Sequence, residues 1–266
     1  MMVAGNVAPD DETIEHVIVS NYVQKLYIAL LGRKATDVEQ EAGINSLKLT
    51  DVSMESRSAL IESILDKEEY YKNEYAIMRA DLLSNADSSA MAQAKSTMEF
   101  ALTLTSNPIE INYWQEQLLK IEPLIALEGN LLNKSKSIKE AHEIIVYNYI
   151  YDEINMGSEN FVVSLFQNFL LRYPTATELN AGVNIDEQKS DVIFLNAINN
   201  REKLIDVFFD YVEYYEGQVR INYLRFLYRE PTDDEIVLLV NQYKSTGDYE
   251  VVQKYILSLD EYAGLK

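Results

Sequence analysis

Apolar residues recur along this chain at helical spacing. Leu60, Ile61, Ile64 and Leu65 form the clearest stripe, the core-facing side of a helix over 55–84. Reading the rest in the same way, with capping residues, Pro and Gly as boundaries, predicts helices over 13–32, 37–48, 55–84, 88–105, 108–122, 137–155, 159–171, 176–182, 189–197, 200–228, 233–244 and 249–260. The expected fold class is therefore all-α. Lys134–Ser137 and Met156–Ser158 read as breaks, whereas Glu213–Tyr228 is interrupted only by Gly217 and reads as one continuous or kinked helix.

The pattern repeats. Leu26–Glu39, Leu165–Glu178 and Tyr223–Glu235 each consist of an aromatic and aliphatic helix end, an arginine (Arg33, Arg172, Arg229), a short break and Thr-x-x-Glu. Thr36, Thr175 and Thr232 are expected to be N-caps, with Glu39, Glu178 and Glu235 at the third helical position closing a capping box. Pro174 and Pro231 lie just before the cap and turn the chain out of the preceding helix. The arginines fall where a helix C-terminus favours a cation; they read as helix-end charges or ion pairs within a repeat, with an anion site as the alternative. A second signature follows each joint and ends in Glu-Tyr at Tyr70, Tyr214 and Tyr262. Between arginine and tyrosine there is room for two helices and a loop, so each repeat is expected to be three helices long. Asn107-Pro108-Ile109-Glu110 has the cap chemistry of a fourth, degenerate copy but lacks the arginine.

The expected architecture is tandem three-helix repeats packed into a compact bundle or short array. An N-terminal unit would span 1–155, with one repeat at 20–75 and a degenerate one at 88–155, and a C-terminal unit would span 156–266 with two repeats. No Gly- or Ser-rich linker separates the halves.

Leu-Gly-Arg-x-x-Thr in the first copy, Arg-x-Pro-Thr in the later ones and the closing Glu-Tyr resemble the short helical repeat domains of unknown function in bacterial surface and secreted proteins. Those domains in turn resemble phycobilisome linker domains. The likeness covers about 20–75 and 160–266. It implies scaffolding or attachment without catalysis. Gly32 of the first copy is replaced by Leu171 and Tyr228 in the others, which departs from the motif.

Composition narrows the function. Twenty-three basic against 43 acidic residues give a net charge of −20, a balance that excludes a nucleic-acid grip built on phosphate neutralisation. No apolar run reaches the roughly 20 residues needed to span a bilayer. Residues 1–10 show neither a basic n-region nor a sustained apolar one, so no signal peptide is expected there; a periplasmic or cell-surface location presupposes a trimmed export signal, and the cytoplasm is the expectation otherwise. With no cysteine and two histidines, thiolate chemistry and His-rich metal centres drop out, and no cofactor is expected. His142-Glu143 does not extend to His-Glu-x-x-His, and no Walker loop, Gly-x-Gly-x-x-Gly or Gly-x-Ser-x-Gly is present. His16 and His142 read as surface or half-buried residues. The acidic runs Asp10–Glu12 and Asp233–Glu235 read as helix starts.

The sequence thus points to a non-enzymatic structural or protein–protein interaction module of the bacterial cell envelope. The alternative is a glycan- or peptide-binding module using surface tyrosines, of which the chain has 19. The expected partner surface is the polar joint before the second copy: Tyr147, Tyr151, Asp152, Glu153, Asn155, Glu159 and Asn160.

Overall fold

The computed structural model describes residues 11–265, with side chains from His16 onward. The carboxylates of Asp10, Asp11 and Glu12 lie outside these. The chain is all-α: α1 (Asp11–Leu31), α2 (Asp37–Lys48), α3 (Met54–Leu65), α4 (Glu68–Leu82), α5 (Ser88–Leu104), α6 (Pro108–Ile125), α7 (Leu127–Leu132), α8 (Ile138–Val146), α9 (Tyr149–Ile154) and α10 (Ser158–Leu165) come first. A π-helical turn (Phe166–Leu170) and α11 (Ala176–Asp186) lead to the two-stranded antiparallel hairpin β1 (Asp191–Ile193) and β2 (Asn196–Ile198). Helices α12 (Arg201–Asp210), α13 (Val212–Leu227), α14 (Asp233–Thr246), α15 (Glu250–Ser258) and α16 (Asp260–Ala263) follow.

Three long expected helices are broken, one of them 137–155, which splits into α8 and α9 at Tyr147 and Asn148. The 55–84 stretch splits after Leu65, and 200–228 splits at Tyr211, whose extended backbone ends α12. The helix expected over 189–197 is a β-hairpin. A stretch this short depends on its packing rather than on its own helix propensity, and β-branched Val192 and Ile193 favour the extended chain. Phe194 and Leu195 form the turn with φ of 50° and 65°, the left-handed pair that a tight hairpin needs. Neither is a glycine, and the conformation is held by the Phe194 ring lying flat on Tyr211, centroids 3.9 Å apart.

Each of the three threonine joints carries the expected capping box. The residue before each arginine is left-handed: Gly32 at φ 68°, and Leu171 and Tyr228 both at 55°. Side-chain-bearing residues in that region are strained by about 1–2 kcal/mol, so two copies accept a cost that the first avoids with glycine. The two sequence signatures prove to be halves of one ion-pair clamp. Arg33 grips Glu39 with Nη1 and Nη2 (2.7 and 2.9 Å) and Glu69 with Nε and Nη2 (both 2.8 Å), while Nη1 also donates to the Lys34 carbonyl. Arg172 does the same with Glu178, Glu213 and the Tyr173 carbonyl. Arg229 meets Glu261, the acid of the third Glu-Tyr, at 2.8–3.0 Å. In Arg33 all five N–H groups are spent, and Arg172 makes four hydrogen bonds with its Nη2 also 2.7 Å from Glu213, so both guanidiniums are committed to carboxylates of the chain itself. The neighbouring tyrosines Tyr70, Tyr214 and Tyr262 turn into the core.

Because the fork geometry carries the clamp, Arg172→Lys is expected to cost about 1–2 kcal/mol even with charge retained. Chemical denaturation at neutral pH is the check; an unchanged midpoint would mean that the pair is only solvated surface charge.

The chain forms two compact units, neither of them a single consecutive stretch. The first comprises residues up to Asn73, Asn222–Glu230 and Glu250 onward. Here α1 packs on α2, α3 and α16, and α3 packs on α15. Tyr22 Oη donates to the Leu257 carbonyl (2.9 Å) and Tyr70 Oη to Gln253 Oε1 (2.9 Å). Buried Arg57 donates through Nε to the Ser258 carbonyl (2.8 Å) and through Nη1 to the Val52 carbonyl (2.9 Å), and it pairs with Asp260.

The second unit comprises Glu74–Ile221 and Pro231–Tyr249. Helices α5 and α6 form an antiparallel hairpin, with Asn107 capping α6 and Pro108 at its first turn as expected. Phe166, Phe169, Phe208, Phe209 and Tyr214 form an aromatic core, with ring contacts mostly edge to face. Helix α13 crosses the end of the π-turn at Gly217, so closely that a Cβ there would lie 1.8 Å from the Phe169 carbonyl oxygen.

Candidate partner-binding groove

The expected surface before the second copy resolves mainly into local bonding. Tyr151 is fully buried and joins Ser164 Oγ (2.8 Å) and Asn168 Nδ2 (3.2 Å), so it is a core residue and not a surface one. Asp152 pairs with Arg201, which also holds Asp186 and lies over the Phe161 ring at 4.1 Å. Burial raises the Asp152 carboxyl above its ordinary range, against the pull of Arg201. Asn155 donates to the Tyr151 carbonyl (3.0 Å) and Asn160 to the Met156 carbonyl (2.8 Å). Glu153 and Glu159 are exposed, and Glu153 accepts a hydrogen bond from the Tyr149 hydroxyl. Tyr147 belongs to a different place, described below.

The paired tyrosines are also interior. Tyr70 and Tyr214 are fully buried, and each stands edge-on to its neighbour, Tyr71 or Tyr215. The Tyr214 hydroxyl is 2.9 Å from His142 Nδ1, so it is not in water. His142 in turn is buried among Phe169, Phe209 and Tyr214, where the sequence suggested a surface or half-buried position beside Glu140 and Glu143. Desolvation pushes its pKa down to about 3, so it stays neutral. His16 is exposed.

What the second unit does offer is a groove of about 370 Å³ across α8, between α6 and α12. From α6 come Glu116, Leu119, Lys120 and Pro123; from α8 and its C-cap come Glu143, Ile144 and Tyr147; from α12 come Glu202, Ile205 and Asp206. The floor is apolar and the rim acidic. Lys120 lies inside: its side chain is only 11% exposed, its ammonium 4.3 Å from the centre of the Tyr147 ring and 2.7 Å from Glu116. Glu143 is half-buried, and burial raises its carboxyl although Lys139 sits 3.1 Å away. Pro123 stands inside α6 and has no N–H, so the carbonyl of Leu119, another lining residue, lacks its usual donor four residues on.

No nucleophilic Ser, Thr or Cys and no His lines this groove. Among the described residues, no group of three or more His, Cys, Asp or Glu side chains converges as a metal would require. Among them, too, no helix is long and apolar enough to cross a membrane. Of the groove residues, only Tyr147 stood out in the sequence. The others are scattered over 116–206, and the one local sign was Pro123, which marked a helix end and instead lies within α6. Comparison with protein-family models, curated proteins and solved structures finds no match to this chain.

Proposed function

We propose that this protein is a non-enzymatic helical module that binds another protein, and that the groove across α8 is where it does so. The observation that carries this reading is an apolar floor of Leu119, Pro123, Ile144, Tyr147 and Ile205 ringed by carboxylates, with Leu119 75% exposed. Large apolar side chains left open beside satisfied polar ones mark an interaction surface. The His142 imidazole is shut away from substrates, enclosed by aromatic rings and bonded to Tyr214. Placement in the bacterial envelope as a scaffold or attachment module rests on the sequence resemblance alone.

A photoreactive benzoyl-phenylalanine placed at position 119 tests the reading in the native cell. It is expected to give a discrete protein adduct that is absent when the same residue replaces exposed Glu187. No adduct at 119, or the same adducts from both positions, would overturn it.

A further inference from the structure

We infer that the occupant of this groove is a basic amphipathic helix of the partner protein. This rests on the function proposed above and adds the chemistry of what binds. Charge is the first ground. Glu116, Glu143, Glu202 and Asp206 surround the groove, and Glu202 and Asp206 are exposed along α12. Lys203 approaches Asp206 only at 3.4 Å between exposed side chains, a pairing too weak to cancel the site's sign. The groove already houses one alkylammonium, Lys120, on an aromatic face beside a carboxylate. A lysine or arginine arriving from outside meets the exposed carboxylates of Glu202 and Asp206, together with the Leu119 carbonyl that Pro123 leaves without its helical donor.

Length is the second ground, and it favours a helix over a small cation. The α6 face that lines the groove continues beyond it: Ile109, Tyr113, Glu116, Leu119, Lys120 and Pro123 follow one another at helical spacing, and Ile109 is 78% exposed. From 109 to 123 that face runs about 21 Å, the length of a helix of about 14 residues. A face of that length, with open Ile109, Tyr113, Leu119 and Pro123 among acidic residues, complements a helix with one apolar face and basic flanks. Polyamine-sized ligands would fill the groove and leave Ile109 and Tyr113 uncovered.

The test uses the full chain and a fluorescein-labelled 14-residue peptide of Leu, Lys and Ala, with Leu at i, i+3, i+4 and i+7. Its control is a peptide of the same composition with the periodicity scrambled. Fluorescence anisotropy in about 0.15 M salt is expected to show the amphipathic peptide binding at least about tenfold tighter than the scrambled one. Leu119→Ser, and separately Glu202→Gln with Asp206→Asn, should each weaken binding by about tenfold, whereas Glu159→Gln with Glu187→Gln should change it by less than about twofold. Equal affinity for both peptides would reduce the effect to general attraction by an acidic protein and overturn the inference. So would indifference to the groove substitutions, or displacement of the peptide by spermidine at matched ionic strength, which would make this a small-cation site. If no peptide binds while position 119 still gives its adduct in cells, the interaction reading stands and the basic-helix occupant falls.

Discussion

Gly217→Ala is expected to destabilise the second unit by about 3 kcal/mol or more, despite placing a better helix former in the middle of α13. Alanine would contribute about 1 kcal/mol of helix propensity at an unconstrained site. Here its methyl would lie 1.8 Å from the Phe169 carbonyl oxygen, and that obstacle is backbone that cannot rotate aside. The π-turn and α13 must separate, and with them the contacts of Phe169 with Phe209 and Tyr214. Gly129→Ala is the matched control, a helical glycine in α7 with nothing within 4 Å of its absent Cβ. It should stabilise by about 0.5–1 kcal/mol. Urea denaturation of both variants decides the matter: a Gly217→Ala midpoint at or above that of the native chain would refute the close crossing.

The second large effect is a dependence on pH through His142. In the folded protein its pKa is about 3, while in the unfolded chain it returns to about 6.5. The unfolded state therefore binds the proton first. The associated stability is complete above about pH 6.5 and drains away as the pH falls toward 3, with a limiting slope of about 1.4 kcal/mol per pH unit and a total on the order of 5 kcal/mol. Other groups titrate lower or with opposite sign. Glu178, held down to about 2 by its hydrogen bonds from Arg172, loses its contribution only below the normal carboxylate range. Glu143 and Asp152, raised by burial, gain stability on acidification. Comparing the native chain with His142→Gln removes these shared terms, and glutamine still offers Tyr214 an acceptor. The difference in unfolding free energy between the two proteins should shrink by about 2–3 kcal/mol from pH 6.5 to 4.5. A flat difference over that interval would show that His142 is protonated inside the fold.

The local code was legible because it is written in contiguous residues. Thr36, Thr175 and Thr232 with their glutamates cap helices wherever the motif occurs, independent of what packs around them. The pairing of Arg33 with Glu69, or of Arg172 with Glu213, joins residues 36 and 41 positions apart. In the sequence the arginines read as helix-end charges or ion pairs within a repeat, with no partner named, since periodicity shows which face a residue occupies and not which partner it meets. The 189–197 stretch was misread for a related reason. Its apolar residues suit either a short helix or a strand, and the deciding contact, Phe194 on Tyr211, lies outside the window. The groove was nearly invisible, because its residues come from three helices and only Pro123 breaks a local rule. The surface expected at 147–160 followed the density of polar side chains, several of which serve the fold: Tyr147 and Asn155 end helices, Tyr151 is core and Asp152 pairs with Arg201.

The first unit unites residues made far apart in time during synthesis. The Tyr70 hydroxyl finds Gln253 183 residues downstream, and buried Arg57 finds the Ser258 carbonyl 201 residues downstream. At about 5–20 residues per second, the ribosome leaves these side chains without their partners for roughly 10–40 s. During that time the apolar faces of α1 and α3 stay uncovered where α15 and α16 will later sit. Closure of this unit on the nascent chain therefore waits for α15 and α16, and a ribosome stalled before them would hold a species exposed to chaperones and proteases.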